Sequence, residues 1–415
     1  MSNYYHELAA KLFDDIEKDT ADSAGVSRPA YSDIETRTLA YLEAFAKENG
    51  LASCSDAAGN LIFSRPENID AKEYILIGSH ADSVPQGGNY DGLAGIIAGL
   101  LCLLKASETS ATFKHPVKVM ALRGEESAWF GPCYISSKAL LGQLSADELS
   151  SKHKSDGRTL REHMEAVGID TAPIAEQKPL LASEEVLQYI ELHIEQGPLL
   201  VEKKIPAAVV SGIRGNFRHK RIRCVGEAGH SGAVPRAYRK DAVMAFADLM
   251  TRLDESWLTI LQKGNDLVLT SGMMGTEPAK HAMTRIPDEV GFSLDIRSQS
   301  SHVLEAMKLM LRGEMATISL DRGVRFEMDE EHSVAPALCD PQIVEGLSEA
   351  MQATGREPFV MASGAGHDAA VFANSGIPTG MIFVRNRNGS HNPLEAMEIS
   401  DFMVGTEILF QYLTE

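Results

Sequence analysis

The sequence lacks the features that are typical of secreted and membrane proteins. It has no run of about 18 consecutive apolar residues, the length that a membrane-spanning helix needs. The N-terminus, MSNYYHELAAKLFDDIEKDT, is acidic and amphipathic, without the basic start and apolar segment of a signal peptide. The five cysteines are odd in number and scattered, with no C-x-x-C pair, which indicates reduced thiols. We therefore expect a cytoplasmic protein.

Basic residues are also scarce. The chain has 39 lysines and arginines against 58 aspartates and glutamates, and its formal net charge is -19. Nucleic-acid binders and partners of anionic membranes both depend on basic surface, so neither a nucleic acid nor a membrane is the expected partner. A local cationic pocket for a small anionic substrate remains possible. With 415 residues, the chain is longer than chains that usually fold around a single hydrophobic core, so we expect two domains.

One stretch, YILIGSHADSVPQGGNYDGLAGIIAGL from Tyr74 to Leu100, combines a buried strand with polar residues at its end. The apolar start predicts a short buried strand. His80 and Asp82 follow, then a glycine-rich turn and Asp91. The small residues after Asp91 predict a helix that packs closely on a sheet. A His and two Asp residues at a strand-to-helix junction resemble half of a metal site.

Three further apolar segments end in the same way. VKVMAL leads to the pair Glu125–Glu126, VLQYIELHI ends next to His193, and TGMIFV leads to His391. The alternation within VLQYIELHI predicts a strand with one buried face. Strands alternating with helices predict an open α/β sheet, in which the polar strand ends share the carboxyl edge.

Each of these residues alone has an ordinary explanation, since a lone His is more often a core or loop residue and an acidic pair is more often a solvated turn. Together they indicate a metal site, because imidazole and carboxylate without cysteine suit Zn²⁺, Mn²⁺ or Co²⁺. Five ligands exceed the needs of one tetrahedral ion, and an Asp can bridge two ions, so a two-metal hydrolytic site is expected. The candidate ligands are His80, Asp91, Glu126, His193 and His391.

The middle of the chain is predicted to form an insert. Residues 205–217 have the character of a linker, and the strand and helix patterns over residues 212–329 indicate a small α+β domain. Its basic segment, FRHKRIRCVGE, is interpreted as the solvated face of an edge strand. VGFSLDIR predicts a strand with Arg297 on its polar face, where a guanidinium can bind a carboxylate in a bidentate fork. Residues 1–211 and 330–415 would then form the catalytic domain.

Several segments of the sequence resemble those of a known family. The segments GSHADSVPQGGNYDGLAG, RGEESAWF, ELHIEQGP, GEAGHSG, SGAGHDA and GSHNPLE look like those of M20-type metallo-amidohydrolases. Within them, the segments resemble the hydantoinase/carbamoylase branch of N-carbamoyl-L-amino-acid hydrolases, β-ureidopropionases and allantoate amidohydrolases. The resemblance implies an α/β catalytic domain, with a mixed sheet and flanking helices around a dinuclear metal site. It also implies an inserted α+β lid and dimerisation domain.

The resemblance implies a role for each metal-site residue. Asp91 would bridge two divalent ions, with His80 and His193 on one and Glu126 and His391 on the other; which ligand pairs with which ion stays open. Asp82 would orient His80 through its second ring nitrogen. Glu125 would be the general base and acid. The ions would be Zn²⁺ or Mn²⁺, with Co²⁺ possible.

Residues of the insert would complete the site. His230, in GEAGHSG, would reach the active site of the other subunit and polarise the scissile carbonyl, which implies a homodimer through the insert; a turn histidine is the alternative. Arg297 would bind the substrate carboxylate. The resemblance adds further substrate contacts from Gln196 and from the backbone of Gly364 and Ala365.

The sequence departs from the usual pattern of the branch in the insert. Residues 280–287 read KHAMTRIP where PNAxNVIP is usual, so Thr284 stands where an Asn normally contacts substrate. Lys280 adds positive character, and Val234 and Arg236 replace the more usual Thr and Met. The metal motifs are intact. We therefore expect shared chemistry on an altered substrate, for example one with an extra carboxylate or a larger acyl group.

The predicted function is hydrolysis of a linear amide or ureido C–N bond beside a carboxylate, as in an N-carbamoyl amino acid. The nearest alternative is an N-acyl-amino-acid amidohydrolase or dipeptidase acting at the same site. A catalytically silent binding protein is the alternative from another class. The presence of Glu125 argues against it, because a protein without activity needs no general base.

Overall fold

The computed structural model of the protein describes residues 2–414. The chain divides into two compact units, one with residues up to Ile213 and from Ala337 onward, the other Arg214–Pro336. Residues 207–213 form a strand of the first unit's sheet, so the predicted linker is wrong there. The insert extends past the predicted residue 329, because strand His332–Val334 pairs with Gly215–Val225.

The elements of the first unit before the insert are α1 (Asn3–Thr20), α2 (Asp33–Glu48), β1 (Ala52–Ser55), β2 (Leu61–Ser64), β3 (Tyr74–His80), α3 (Leu93–Thr109), β4 (Val117–Leu122), α4 (Ile135–Leu140), α5 (Ala146–Leu149), α6 (Leu160–Ala166), α7 (Ala172–Ala175), β5 (Val186–Ile194), α8 (Leu199–Lys203) and β6 (Ala207–Ile213). Those of the insert are β7 (Gly215–Val225), β8 (Gly229–His230), α9 (Ala242–Gln262), β9 (Val268–Thr270), β10 (Met274–Gly275), β11 (Arg285–Ile286), β12 (Glu289–Ser298), α10 (Ser301–Arg322), β13 (Arg325–Met328) and β14 (His332–Val334). The first unit resumes with β15 (Ala337–Leu338), α11 (Pro341–Ala353), β16 (Val360–Ser363), α12 (Asp368–Asn374), β17 (Thr379–Val384), β18 (Asn386–Arg387), β19 (Ala396–Met397) and α13 (Ile399–Thr414). Short 3-10 helices cover Pro66–Asn68, Ser183–Glu185, Arg236–Tyr238 and Pro278–Lys280.

The first unit is built on one mixed sheet in the order β1-β2-β4-β3-β5-β17-β6-β15, with β16 beside β6. The four central strands β4, β3, β5 and β17 are parallel. The neighbours β2 and β6 pair antiparallel to them. Two apolar clusters enclose the sheet. The arrangement confirms the predicted α/β class, with a mixed sheet and flanking helices.

Strand β5 differs from its prediction because it lies in the middle of this sheet. Its apolar residues, such as Leu192, pack in one cluster, while Tyr189 packs in the other. Glu191 and His193 are therefore buried as well. The expected single buried face was wrong, since helices cover both sides of a central parallel strand.

Helix α3 packs closely on the sheet through its glycines. A Cβ atom added at Gly95 would lie 2.3 Å from the carbonyl oxygen of Leu192, so no side chain fits there. Gly92, just before the helix, has φ of +71°, and a Cβ there would meet the His80 ring at 2.5 Å. These two glycines bring the start of α3, and Asp91 just before it, against the ends of β3 and β5.

The insert has its own sheet in the order β10-β12-β7-β13, with β9 beside β12 and β14 beside β7. Helices α9 and α10 contribute to its separate apolar core. Strand β7 pairs on both sides, so the interpretation of its basic residues as the face of an edge strand was wrong. Carboxylates on the neighbouring strands balance these charges: Arg223 lies 2.6 Å from Glu289 on β12 and 2.5 Å from Glu327 on β13.

None of the helices within residues 2–414 has the combined length and apolar character that a membrane crossing requires.

Candidate metal centre

The carboxyl edge of the four parallel strands collects the predicted ligands of the first unit. His80 is the last residue of β3, and His193 lies one residue before the end of β5. Glu126 follows β4, and His391 follows β17 and β18. Together with Asp91, these residues form two groups whose ligand atoms lie within 4.8 Å of one another. The predicted convergence on one edge is therefore observed.

The first group consists of His80, His193 and Asp91. The Nε2 atoms of the two imidazoles lie 3.4 Å apart, and they lie 3.4 and 2.9 Å from Oδ1 of Asp91. Nδ1 of His80 is 3.1 Å from the carbonyl oxygen of Asp82, and Nδ1 of His193 is 2.9 Å from that of Ile194. Each Nδ1 therefore carries the proton in the neutral ring, and each Nε2 presents a lone pair.

Three electron-pair donors thus face one another at about hydrogen-bond distance. Oδ1 of Asp91 is buried and accepts no hydrogen bond of good geometry. Such an arrangement is repulsive with neutral imidazoles, but it suits a divalent cation bound among the three atoms. The residues therefore fit a metal ion.

The second group consists of Glu126, His391 and the other oxygen of Asp91. Nε2 of His391 lies 3.3 Å from Oε1 of Glu126 and 3.6 Å from Oδ2 of Asp91. The His391 side chain is 51% exposed, whereas Glu126 and Asp91 are buried. His391 also has φ of 61°, a left-handed conformation that few non-glycine residues adopt and that clusters at functional sites. Asp91 is shared by both groups, as a bridging ligand would be.

Asp82 lies directly behind the first group, and Glu125 lies beside it, with a carboxylate oxygen within 4.8 Å of ligand atoms of His80 and Glu126. The Asp82 carboxylate is 3.4 Å from Nδ1 of His80, and it accepts the backbone N–H groups of Glu125 and Glu126 at 3.0 and 3.1 Å. One carboxylate thus orients a candidate ligand and holds the turn that carries the acidic pair. Burial raises the pKa of Glu125 well above its ordinary value, and the neighbouring Glu126 adds to this effect.

Two residues that the sequence reasoning did not select hold Asp91 in place. Glu395 accepts the backbone N–H groups of Tyr90 and Asp91 at 2.9 and 3.2 Å. The hydroxyl of Ser390 lies between the carboxylates of Asp91 and Glu395, and its single proton can be donated to either of them. Both residues lie in the segment GSHNPLE, which drew attention only for its histidine. Neither the spacing nor the composition of that segment indicates that its glutamate turns back toward Asp91.

Arg28 is a third residue that the sequence reasoning did not select. Its guanidinium is fully buried, and it donates to the carbonyl oxygen of Ala81 and to Oδ1 of Asn89 at 2.9 Å each. It thereby joins the loop that follows His80 and contains Asp82 to the loop of Asp91. Burial lowers the pKa of Arg28 to about 10, so it remains a cation near neutral pH. No sequence signal distinguishes this arginine from a loop arginine on the surface.

The remaining predicted residues of the first unit lie around this centre. Gln196 donates to Oδ2 of Asp91 at 2.8 Å, and its nitrogen is 3.3 Å from Nε2 of His391. The backbone at Gly364 and Ala365 leads into His367, whose ring packs 4.4 Å from that of His193. His367, although it stands in the segment SGAGHDA, was not predicted to be a site residue.

The structure places three predicted residues in the insert. His230 is exposed, and its Nδ1 accepts the backbone N–H of Gly232 at 3.2 Å, which leaves the proton on Nε2. Thr284 is exposed. Arg297 forms a bidentate ion pair with Asp295 of the same strand face, at 2.9–3.2 Å. A substrate carboxylate bound by this guanidinium would therefore share it with Asp295.

Comparisons with known proteins give a consistent result. Residues 76–415 match the peptidase family M20/M25/M40. The chain is 34% identical over 391 residues to an N-carbamoyl-L-amino acid amidohydrolase of Geobacillus stearothermophilus, covering 94% of this chain and 92% of that protein. It is 32% identical over 395 residues to the allantoate amidohydrolase of Escherichia coli K12, covering 94% of this chain and 92% of that protein.

Solved structures give the same result. An amidase of the hydantoinase/carbamoylase family from Burkholderia multivorans superposes with a TM-score of 0.86 at 28% identity, over 99% of this chain and 97% of that chain. The matches confirm the resemblance that the sequence segments indicated. The chain therefore belongs to the peptidase family M20/M25/M40 and is a hydrolase of that family.

Proposed function

We propose that this protein is a dinuclear metal amidohydrolase that removes the carbamoyl group from an N-carbamoyl amino acid or a related ureido carboxylate. The observation that carries the proposal is the convergence of the His80 and His193 Nε2 atoms on Oδ1 of Asp91. Glu126 and His391 would hold the second ion beside the other oxygen of Asp91. Zn²⁺, Mn²⁺ and Co²⁺ all suit this set of imidazoles and carboxylates.

The chain's own residues supply the proton transfers. Bound divalent ions would polarise the carbonyl and make a water molecule more acidic. Glu125 accepts the proton of the attacking water and delivers it to the nitrogen that leaves as the amino group. Water adds its oxygen to the carbamoyl carbon and the C–N bond breaks, which gives the amino acid and carbamate. Carbamate then decomposes to ammonia and carbon dioxide.

Residues outside the metal groups position the substrate in this proposal. Arg297 binds the substrate carboxylate, and Gln196, Thr284 and the backbone at Gly364–Ala365 provide further contacts. In a homodimer built through the insert, Nε2–H of His230 polarises the scissile carbonyl in the other subunit. The proton position of His230 supports this role, because a neutral imidazole with its proton on Nε2 can donate there.

We further propose a cytoplasmic location. The five cysteines carry free thiols in the structure, three of them buried, which suits a reducing compartment.

The test is a substrate panel in which two products are measured. Purified protein is assayed with N-carbamoyl amino acids, allantoate, β-ureidopropionate and N-acyl-aspartates, and ammonia and free amine are quantified in each reaction. The proposal predicts ammonia and amino acid in equal amounts from a ureido substrate. Amine without ammonia, from acyl substrates alone, would instead establish the acylase alternative. A protein that binds metal but turns over none of these substrates would contradict the proposal.

A further inference from the structure

A second cluster of metal-binding residue types lies in the segment between β4 and β5, apart from the centre described above. His153, Asp156 and His163 present ligand atoms that all lie within 4.8 Å of one another. Nδ1 of His153 is 3.4 Å from Oδ1 of Asp156, and Nε2 of His163 is 3.3 and 3.1 Å from the two oxygens of Asp156. Nothing in the proposed amidohydrolase mechanism uses these residues.

We propose that His153, Asp156 and His163 form an additional binding site for one divalent cation of the Zn²⁺ class. The geometry supports this directly. A tetrahedral ion with bonds of about 2.0–2.2 Å to nitrogen and oxygen has ligand atoms about 3.3–3.6 Å apart. The imidazole nitrogens lie 3.1–3.4 Å from the Asp156 oxygens, at or just below that range, and within 4.8 Å of each other. Two imidazoles and a carboxylate leave a fourth position for water, as at other three-ligand zinc sites.

Local backbone hydrogen bonds fix the positions of the three residues. The backbone N–H of His153 donates a hydrogen bond to the carbonyl oxygen of Arg158 at 2.8 Å. The N–H of Gly157 donates to the carbonyl oxygen of His153 at 3.0 Å, and the two bonds close a tight loop around Asp156. His163 lies on α6, whose first turn is fixed by a complete capping box. The loop and the helix therefore present their ligands from rigid backbone, which lowers the entropic cost of binding an ion.

The surroundings bury the imidazole rings of the cluster. Both side chains are buried, while Asp156 is 42% exposed and gives solvent a route to the cluster. The Trp129 ring is parallel to that of His153, and the Phe130 ring packs against both histidines. The N–H of Ser155 lies 3.4 Å from Nδ1 of His153, so this nitrogen carries a lone pair and no proton, and a bound ion would replace this long hydrogen bond.

The test counts metal ions per chain in the full-length protein. Wild-type protein and two variants are dialysed against buffered free Zn²⁺, and bound zinc is measured by elemental analysis. In the wild type, Oδ1 of Asp156 accepts a hydrogen bond from the backbone N–H of Arg158 at 3.0 Å. Asp156→Asn removes the carboxylate charge but keeps an oxygen that can accept this bond. Asp170→Asn is the matched control, because Asp170 accepts the N–H of Ala172 at 3.0 Å in the same segment and lies outside the cluster.

We expect Asp156→Asn to bind one zinc ion fewer per chain than both the wild type and Asp170→Asn, or to require at least about tenfold more free zinc for the last ion. His163→Gln should have the same effect, and hydrolytic activity should persist in both variants. Zinc contents that match the wild type would overturn the proposal. An equal loss in the Asp170→Asn control would also overturn it, since the extra zinc would then be bound non-specifically. Because the experiment measures bound metal, its result does not depend on whether the protein hydrolyses a carbamoyl substrate.

Discussion

The backbone N–H of Glu125 donates a hydrogen bond to Oδ1 of Asp82 at 3.0 Å. The same carboxylate lies 3.4 Å from Nδ1 of His80, so Asp82 couples the orientation of an imidazole to the position of the acidic pair. A metal-binding histidine depends on such an acceptor behind it. The proposed base and the proposed ligand therefore share one support.

Replacing Asp82 with Asn should weaken metal binding by about 10- to 100-fold, because the amide accepts fewer hydrogen bonds and carries no charge. Competition titration with a chromophoric chelator measures this change. Asp56→Asn is the matched control, since Asp56 also accepts two backbone N–H groups in a turn but lies away from the metal centre. Equal metal affinity in the Asp82 variant and the wild type would contradict the role of Asp82.

Glu125→Gln should lower kcat by about 10²- to 10⁴-fold while leaving the metal content unchanged, because it removes only the proton carrier. Glu126→Gln provides the contrast, since the loss of a ligand should reduce the metal content itself. Elemental analysis and steady-state kinetics on the same preparations distinguish the two effects. Near wild-type turnover in Glu125→Gln would exclude it as the general base.

Removing the metal should abolish activity and lower the melting temperature, because ions that bind only the folded state stabilise it. Dialysis against a strong chelator, followed by addition of Zn²⁺, Mn²⁺ or Co²⁺, should show loss and recovery of activity. The same chelator saturated with Zn²⁺ beforehand serves as the control. Activity that survives complete metal removal is incompatible with the proposed mechanism.

Replacing Arg28 with Met should lower the free energy of unfolding by about 1–3 kcal/mol, since the carbonyl oxygen of Ala81 and Oδ1 of Asn89 lose their buried donor. It should also weaken metal binding, because Ala81 directly follows His80 and Asn89 lies on the loop that carries Asp91. Urea unfolding of the metal-free protein and metal titration measure the two effects.

Lys105→Met is the comparison for Arg28, because it breaks a 3.0 Å ion pair with Glu407 far along α3 from Asp91. Destabilisation with unchanged metal affinity is expected in that control. The same pattern in the Arg28 variant would mean that Arg28 only supports the fold.

Thr284→Asn should shift the relative kcat/KM values of the substrate panel, since an amide offers hydrogen bonds that a threonine hydroxyl cannot. The side chain of Thr284 is exposed. Its backbone oxygen accepts a hydrogen bond from the N–H of Ser231 at 2.8 Å, and this bond does not depend on the side chain. The fold should therefore tolerate the change. Thr251→Asn, at an exposed position on α9 of the same unit, controls for surface effects. An unchanged substrate profile would argue against Thr284 as a specificity residue.

Much of the candidate centre could be predicted because its ligands are tied to local pattern. Short apolar runs in the sequence predict buried strands, and the carboxyl ends of parallel strands share one edge of a sheet. His80, His193 and Glu126 each stand within a few residues of such an end. Local pattern cannot show which strand is central, however. The expectation of one buried face for β5 failed for that reason, as did the interpretation of β7 as an edge strand.

By itself, therefore, the sequence determined the α/β class, the family, and the chemical types gathered at the carboxyl edge. Only the tertiary structure decided what holds those groups in place. Glu395 reaches Asp91 across 304 residues of sequence, and Arg28 reaches Asn89 across 61. Such contacts depend on how loops pack over the finished sheet, and a hydrogen bond formed there leaves no periodicity in the chain.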